Sequence, residues 1–461
     1  MELNKKIDEL KTELIEKTQE IMRIKSVETE ERPGMPFGEG INNALISVLK
    51  IGENMGFKTK NIDGYMGYIE YGEGDEIVGI LGHLDVVPAG DGWKFDPYGA
   101  EIHDNKLYGR GALDDKGPIM ACIYGLYALK ETGYKSQNRI RILLGTNEES
   151  GSRDIEYYLK KEEKPSIGFT PDAYFPVIFA EKGITTFSLA KEFKNIENSP
   201  VVYIKGGNKS NMVPDYCEVG LKLEDKEALM RKVDSNAKAH NIDLSYEIKE
   251  DLLILKCKGN SAHGSTPEQG KNAVMQTLIF LNWIEIDKGE IGKIIKFLAE
   301  NIGLETNGKT FGVYLKDEVS GELSFNVGTI NMNRDMVSIG MNLRYPVTCI
   351  LEQMMNPLQD KIKETGFNIE GLMHQPPLYF PKDHELIKTL CQVYEEQTGE
   401  KAKPIAMGGG TYAKEMPNIV AFGPIFPGKP DLDHQANEYI EIDDLVKLTK
   451  IYGNAIKQLS V

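Results

Sequence analysis

The sequence predicts an α/β protein in which an α/β/α domain is interrupted by an inserted α+β domain. At 461 residues the chain is too long for one ordinary hydrophobic core. Helical and strand patterns alternate at the start of the chain, as in an α/β layer, whereas longer strands of alternating polarity occupy the middle. We therefore predict a discontinuous first domain, residues 1–180 and 379–461, with residues 181–378 as the inserted domain.

Hydrophobic periodicity predicts the elements of the first domain. Apolar residues recur at helical spacing in some segments, and short apolar runs rich in β-branched residues mark others as strands. The predicted helices are residues 4–25, 41–56, 116–132, 384–400 and 442–459, and the predicted strands are residues 76–84, 138–144 and 418–426. In the inserted domain, the alternating polarity of "FSLAKEF", "YCEVGLKLED", "DLLILKCKG" and "VSIGMNLRYPV" predicts antiparallel sheets with one wet face.

The composition excludes several kinds of partner and site. Five scattered cysteines with no Cys-x-x-Cys pair argue against a disulfide framework and a thiolate metal site. The formal net charge of −16 argues against nucleic acid and anionic membranes as partners, because both bind basic patches. No apolar run approaches the ~20 residues needed to span a bilayer, and the start "MELNKKIDELKTELIEK" is charged and helical in period. We therefore expect a cytoplasmic protein.

The segment "LGHLDVVPAG" places two ionisable side chains where a buried strand should end. His83 and Asp85 are two residues apart, so on a strand they point to the same face. A carboxylate beside an imidazole can fix the tautomer of the ring and leave its other nitrogen free for a metal or a proton. The alternative is a histidine that simply hydrogen-bonds a neighbouring aspartate.

Two further motifs carry adjacent carboxylates. In "GRGALDDKG", glycines surround Asp114 and Asp115 just before a predicted helix, where the residues could contact a ligand or only cap the helix. In "GTNEESGS", Glu148 and Glu149 follow a strand. Adjacent carboxylates repel each other unless a cation or proton lies between them, so one metal ligand and one base is a coherent pairing. A solvated acidic turn is the alternative.

Asp172 in "TPDAYFP" and His434 in "DLDHQANE" complete a series that resembles a known family. In order, "GHLDVVP", "GRGALDDKG", "NEES", "TPD" and "DHQANE" resemble the co-catalytic metallopeptidase family that includes aminoacylase, carboxypeptidase G, succinyl-diaminopimelate desuccinylase, carnosinase and dipeptidase V, and the dipeptidase V type most of all. The resemblance implies a catalytic domain of the zinc aminopeptidase/phosphorylase type, an inserted lid of two ferredoxin-like halves, and a cis peptide after Asp114.

The resemblance also implies two metal sites that share one carboxylate. Asp114 would bridge the ions, with His83 and Asp172 at the first and Glu149 and His434 at the second. Asp85 would orient His83, and Glu148 would be the general base. Imidazole and carboxylate ligands without thiolate suit zinc first, with manganese or cobalt as alternatives, and two ions ~3.5 to 4 Å apart can share a bridging hydroxide.

The resemblance assigns substrate contacts to the inserted domain and to a glycine-rich turn. His263 in "NSAHGSTPEQGKNA" would donate to the developing oxyanion. Asn211 in "KSNMVPD" and Arg344 in "MNLRYP" would contact substrate, and a guanidinium suits a carboxylate. In "MGGGTYAKEM", exposed amides around Gly409, Gly410 and Thr411 could hold the same carboxylate. Each of these motifs could also be structural. The other histidines, His103, His240, His374 and His384, are expected to be surface or core residues.

The predicted function is a metal-dependent dipeptidase that acts on short peptides with free amino and carboxyl ends. An enlarged lid within one chain favours a monomer. The alternatives are an N-acyl or N-succinyl amino acid amidohydrolase, a carnosine-like Xaa-His dipeptidase, and a protein that binds metal without turnover.

Overall fold

The computed structural model describes residues 2–194, 196, 198–239 and 242–461, without the side chains of residues 236–239. The chain forms two compact units. The first unit comprises Met1–Phe179, Tyr379–Ala406 and Thr411–Val461, and the second comprises Ala180–Leu378 and Met407–Gly410.

The helices and strands fall into three successive stretches of the chain. The first stretch contains α1 (Glu2–Met22), α2 (Glu39–Asn54), β1 (Lys58–Ile62), β2 (Met66–Tyr71), β3 (Ile77–His83), β4 (Glu101–His103), β5 (Lys106–Tyr108), α3 (Lys116–Glu131), β6 (Arg139–Gly145), α4 (Arg153–Lys161), β7 (Ile167–Thr170), β8 (Ala173–Tyr174) and β9 (Ile178–Glu181). The second contains β10 (Gly183–Glu192), β11 (Val201–Gly206), β12 (Tyr216–Leu221), α5 (Lys226–Ala239), β13 (Asp243–Lys249), β14 (Leu252–Lys258), α6 (Ala273–Trp283), α7 (Glu290–Asn301), β15 (Lys316–Asp317), β16 (Gly321–Glu322), β17 (Ser324–Met332), β18 (Met336–Tyr345), α8 (Leu351–Ile362) and β19 (Asn368–Gln375). The third contains β20 (Leu378–Tyr379), α9 (Glu385–Thr398), β21 (Ile405–Met407), β22 (Ile419–Ala421), β23 (Pro424–Ile425), β24 (Tyr439–Glu441) and α10 (Ile442–Leu459). Short 3-10 turns lie at Pro267–Gln269, Lys363–Thr365 and Tyr412–Lys414.

The main sheet of the first unit has a parallel centre and antiparallel edges. Its order is β1-β2-β6-β3-β7-β22-β9-β20, with β21 paired to β9. Strands β6, β3, β7 and β22 are parallel neighbours. Every residue of β3 is buried, as expected for a parallel strand covered on both faces.

Layers of helix and turn cover both faces of this sheet. Gly67 of β2 and Gly82 of β3 both pair with Leu144 of β6, so they lie on the same face of the sheet. A Cβ at Gly67 would contact Leu45 of α2, and a Cβ at Gly82 would contact Ile119 of α3, so both helices cover this face. On the opposite face, Arg141 hydrogen-bonds Tyr158 of α4 at 2.7 Å. The predicted α/β/α arrangement is therefore confirmed.

The elements predicted for the first unit are present, with one difference. The predicted strand over residues 418–426 is divided into β22 and β23. Pro424 has no N–H to donate, and Gly423 has a φ of 77°, so the pairing changes from β7 to β8 at this point.

The second unit is built on an antiparallel sheet of order β13-β14-β12-β11-β17-β18-β10-β19. In one half, β10, β17, β18 and β19 are strands 1 to 4, and they lie side by side in the order 4-1-3-2, which is the ferredoxin-like arrangement. In the other half, β12, β13 and β14 correspond to strands 1 to 3 and β11 corresponds to strand 4, which gives the same order. The α+β inserted domain is thus confirmed. One hydrophobic core joins the sheet to α5, α6, α7 and α8. Among the described residues of both units, no helix is long and apolar enough to cross a membrane.

Candidate metal centre

The carboxyl ends of three parallel strands carry most of the ligand-type residues. His83 is the last residue of β3, Glu148 and Glu149 follow β6, and Asp172 follows β7. His83 pairs in register with Gly145 at the end of β6. Because parallel neighbours end at the same edge of a sheet, the side chains that follow them meet there.

Two groups of potential metal ligands share the carboxylate of Asp114. One group is His83, Asp114 and Asp172, and the other is Asp114, Glu149 and His434; the ligand atoms of each group lie within 4.8 Å of one another. Asp114 Oδ1 lies 2.9 Å from His83 Nε2, and Asp114 Oδ2 lies 3.1 Å from His434 Nε2. Glu149 Oε2 is 3.0 Å from His434 Nε2, and Asp172 Oδ2 is 3.9 Å from His83 Nε2. One carboxylate therefore faces both histidines.

The donor atoms fit divalent metal ions. Within the described part of the chain, His83 Nε2 and Glu149 Oε1 are buried and have no hydrogen-bond partner of acceptable geometry. Buried polar atoms are rarely left in this state unless an ion or a ligand binds them. Nitrogen and oxygen donors without a thiolate suit zinc, manganese or cobalt.

The electrostatics of the centre favour added positive charge. Burial, then the neighbouring Asp172, raises the pKa of Glu148 well above its ordinary value. Burial, then Asp114, raises the pKa of Asp172 to about 7. Hydrogen bonds to Asp114 and Glu149 raise the pKa of His434 to about 11. The carboxylates repel one another when they are ionised, and the imidazole of His434 binds its proton strongly. A bound cation would stabilise such an environment.

Asp85 connects His83 to the turn that carries the two glutamates. His83 Nδ1 lies 3.0 Å from the main-chain oxygen of Asp85, and the Asp85 carboxylate is farther away at 3.5 Å. The ring proton on Nδ1 is therefore donated to the main-chain carbonyl, which leaves Nε2 for the metal side. The Asp85 carboxylate accepts instead from the main-chain N–H groups of Glu148 at 3.3 Å and Glu149 at 3.1 Å.

The Asp114 loop does not act as a helix cap. Asp115 is at the N-cap of α3 but makes no side-chain capping bond, and its Oδ2 accepts from the His83 main-chain N–H at 3.2 Å. The cis peptide predicted after Asp114 is present. Gly117 is required for the close turn, because a Cβ there would lie 2.1 Å from the main-chain oxygen of Ala112.

Two functional-site neighbours were missed at the sequence level. Buried Asp154 accepts from the main-chain N–H groups of Thr146 at 2.7 Å and Asn147 at 3.1 Å, just before the two glutamates. The Tyr412 hydroxyl donates to the same carboxylate at 2.6 Å, and its ring meets the ring of His83 edge-on. The available signal was an acidic residue on the buried face of α4, beside Ile155.

The predicted substrate residues His263 and Asn211 are neighbours in the second unit. The main-chain oxygen of Asn211 accepts from Gly264 N–H at 2.7 Å. His263 Nδ1 accepts from the main-chain N–H of Ser265 at 3.4 Å and contacts its hydroxyl at 2.6 Å. Because Nδ1 is the acceptor, the proton of the neutral ring lies on Nε2. Burial, then the charge of Arg344, lowers the pKa of His263, so the ring is neutral at pH 7.

Arg344 is buried, and its guanidinium forms no ion pair with a carboxylate among the residues that the structure describes. It is 4% exposed, and its Nε and Nη1 donate to Asn342 Oδ1 at 3.0 Å and to the main-chain oxygen of Gly408 at 2.7 Å. Burial lowers its pKa to about 10. Gly409 and Gly410 follow in the second unit, whereas Thr411 belongs to the first, where its hydroxyl caps the turn at Tyr412–Lys414.

Three of the remaining histidines have ordinary structural contacts. His103 Nε2 lies 2.9 Å from Glu101 Oε2, His374 Nε2 lies 2.7 Å from the Tyr345 hydroxyl, and His384 Nδ1 accepts from an N–H at the start of α9. His240 lies outside the described residues.

A family model described as Peptidase family M20/M25/M40 matches residues 79–458. A relative from Bacillus subtilis (strain 168), named "Putative dipeptidase YtjP", is 42% identical over 457 residues that cover 98% of each chain.

Solved structures share the fold at low sequence identity. The dipeptidase Dug1p from Saccharomyces cerevisiae gives a TM-score of 0.59 at 14% identity, over 100% of this chain and 98% of that chain. Human carnosine dipeptidase 1 gives 0.56 at 16% identity, over 100% and 99% of the two chains. At this identity the likeness concerns the fold alone.

Proposed function

We propose that this chain, which belongs to peptidase family M20/M25/M40, is a metal-dependent dipeptidase acting on short peptides with free amino and carboxyl ends. The observation that carries the proposal is the Asp114 carboxylate, with one oxygen toward His83 and the other toward His434. The name of the Bacillus subtilis relative supports the choice of dipeptides within the family.

Two divalent ions would be held by two groups of ligands. His83, Asp114 and Asp172 would hold one ion, and Asp114 would share the other with Glu149 and His434. When bound, such ions polarise the scissile carbonyl and lower the pKa of water to near 7. We propose zinc, with manganese or cobalt as alternatives, because the donors are nitrogen and oxygen only.

Glu148 is proposed as the group that moves the proton. Its carboxylate would accept a proton from the attacking water and deliver it to the leaving amine. Asp85 keeps Glu148 in place through its main-chain N–H.

Residues of the second unit are proposed to bind the substrate. His263, neutral and with its proton on Nε2, can donate a hydrogen bond to the oxyanion that develops on the carbonyl. Arg344 is suited to the free carboxylate of a dipeptide, because a guanidinium can donate two parallel hydrogen bonds. Asn211 and the amides of Gly409 and Gly410, together with Thr411 of the first unit, are proposed to assist in binding the same end.

The proposal includes a small peptide as the partner, a single chain as the working unit and the cytoplasm as the location. It is tested by removing metal from the protein, restoring zinc, manganese or cobalt, and assaying dipeptides, tripeptides, Xaa-His dipeptides and acyl amino acids. We expect metal-dependent cleavage of dipeptides and little cleavage of tripeptides. Preferential cleavage of acyl amino acids, or two bound ions without any hydrolysis, would contradict the proposal.

A further inference from the structure

The end of the "DHQANE" motif makes contacts that the proposed reaction does not use directly. Glu438 lies four residues after His434 and immediately before β24, which pairs with β5 through Tyr439 and Tyr108. This pairing places Glu438 beside the start of the "GRGALDDKG" loop, where its main-chain oxygen accepts from the N–H of Gly109 at 3.0 Å.

The Glu438 carboxylate accepts four hydrogen bonds from that loop. Oε1 accepts from the main-chain N–H groups of Leu113 at 2.8 Å and Asp114 at 3.3 Å. Oε2 accepts from the main-chain N–H of Gly111 at 3.2 Å and from Arg110 Nη1 at 2.7 Å. Both oxygens are therefore satisfied by donors of a single loop, and one of these donors belongs to the shared ligand itself.

The hydrogen bonds between Glu438 and the loop lie in the interior of the protein. Glu438 is 0% exposed and Arg110 is 1% exposed. Arg110 also lies over the ring of Trp93, with its guanidinium carbon 5.4 Å from the ring centre, and its Nη2 is 3.4 Å from the main-chain oxygen of Ala89. The attraction within a buried ion pair offsets the cost of removing both charges from water only when further hydrogen bonds satisfy the two groups, as they do here for the carboxylate.

We propose that Glu438 is a positioning residue for the metal centre: it ties the segment of His434 to the main chain of Asp114, so that the shared carboxylate and the second-site histidine keep their spacing. The inference rests on the proposed function only in requiring that Asp114 and His434 bind metal. Groups that orient metal ligands typically affect metal affinity by about 10- to 100-fold when they are changed.

The test measures cobalt(II) binding to the metal-stripped full chain. We expect Glu438→Gln to weaken cobalt(II) affinity by about 10- to 100-fold and to change the visible absorption of the bound ion, because an amide NH₂ cannot accept from two of the loop donors. The matched control is Glu70→Gln. Glu70 forms a buried pair with Arg141 in the same unit, with Oε2 2.6 Å and 3.0 Å from two guanidinium nitrogens.

A double variant separates positioning from simple stability. Glu438→Gln alone leaves the buried guanidinium of Arg110 without its carboxylate, and adding Arg110→Met removes that charge. In this double variant we expect the free energy of unfolding to recover while cobalt(II) affinity stays low. This variant also carries the test if the single variant does not fold. Cobalt(II) affinity within about twofold of the original protein in the double variant, or equal losses in Glu438→Gln and Glu70→Gln, would overturn the inference.

The outcome is distinguishable from failure of the proposed function. If the original protein binds cobalt(II) but cleaves no dipeptide, the function fails and Glu438 can still be a positioning residue. If the original protein cleaves dipeptides and the Glu438 variants bind cobalt(II) normally, only the present inference fails.

Discussion

Replacing Arg344 by methionine gives the sharpest test of how the free carboxylate of a substrate is bound. Arg344 is 4% exposed, and among the residues that the structure describes its guanidinium donates to neutral acceptors, Asn342 Oδ1 and the main-chain oxygen of Gly408. If Arg344 binds the carboxylate of a dipeptide, Arg344→Met should weaken the binding of dipeptides. It should leave the binding of dipeptide amides unchanged, because these have no negative charge at that end.

The expected loss of binding follows from the energy of a charged hydrogen bond. Such a bond contributes about 1.5–3 kcal/mol, which corresponds to a KM for dipeptides that is higher by about 10- to 150-fold. A C-terminal dipeptide amide should bind equally poorly to both proteins, with KM values within about threefold.

The stability of the folded protein should change little. Burial lowers the pKa of Arg344 from 12.5 to about 10, which at 1.36 kcal/mol per pH unit is a cost of about 3 kcal/mol for burying the charge. Methionine removes this cost and also removes two hydrogen bonds worth about 1.5 kcal/mol each. These effects oppose each other and are of similar size, so the free energy of unfolding should change by less than about 3 kcal/mol.

The assay compares kcat and KM for a dipeptide and its amide in three proteins. The control is Arg334→Met in the same unit, since Arg334 also donates to a main-chain carbonyl, that of Ser199 at 2.7 Å. Urea unfolding measures stability in parallel. An equal loss for the dipeptide and its amide, or an unchanged dipeptide KM in Arg344→Met, would refute the assignment of Arg344 to the carboxylate.

Three further outcomes are expected. Glu148→Gln should lower kcat by about 10²- to 10⁴-fold while metal analysis still finds two ions per chain; loss of the ions together with activity would point to a ligand instead of a base. Tyr412→Phe should lower the free energy of unfolding by about 1–3 kcal/mol in urea titrations, because buried Asp154 loses the hydroxyl that donates to it at 2.6 Å; no change would mean that the bond adds nothing. Zinc at 100 times its Kd should raise the free energy of unfolding by about 2.7 kcal/mol over chelator-treated protein, and equal melting curves with and without zinc would contradict a site formed only in the folded state.

The sequence by itself determined the type and approximate place of several regular elements. Apolar periodicity is a local property, and in α3 and α10 it predicted helices that agree with the structure to within a residue or two. It failed at residues 418–426, because a change of pairing partner at Gly423 and Pro424 depends on which strands lie nearby. The motifs also carried residue chemistry, since ligand-type side chains at strand ends can be recognised one at a time.

Only the tertiary structure decided which of these side chains meet and what holds them. That Asp114 faces both His83 and His434 follows from the parallel order of β6, β3 and β7 and from the return of the chain at β24, which no local pattern contains. The bonds of Asp154 to the turn before Glu148 likewise depend on packing between distant segments. Burial gives such contacts their strength, and burial is a property of the folded chain as a whole.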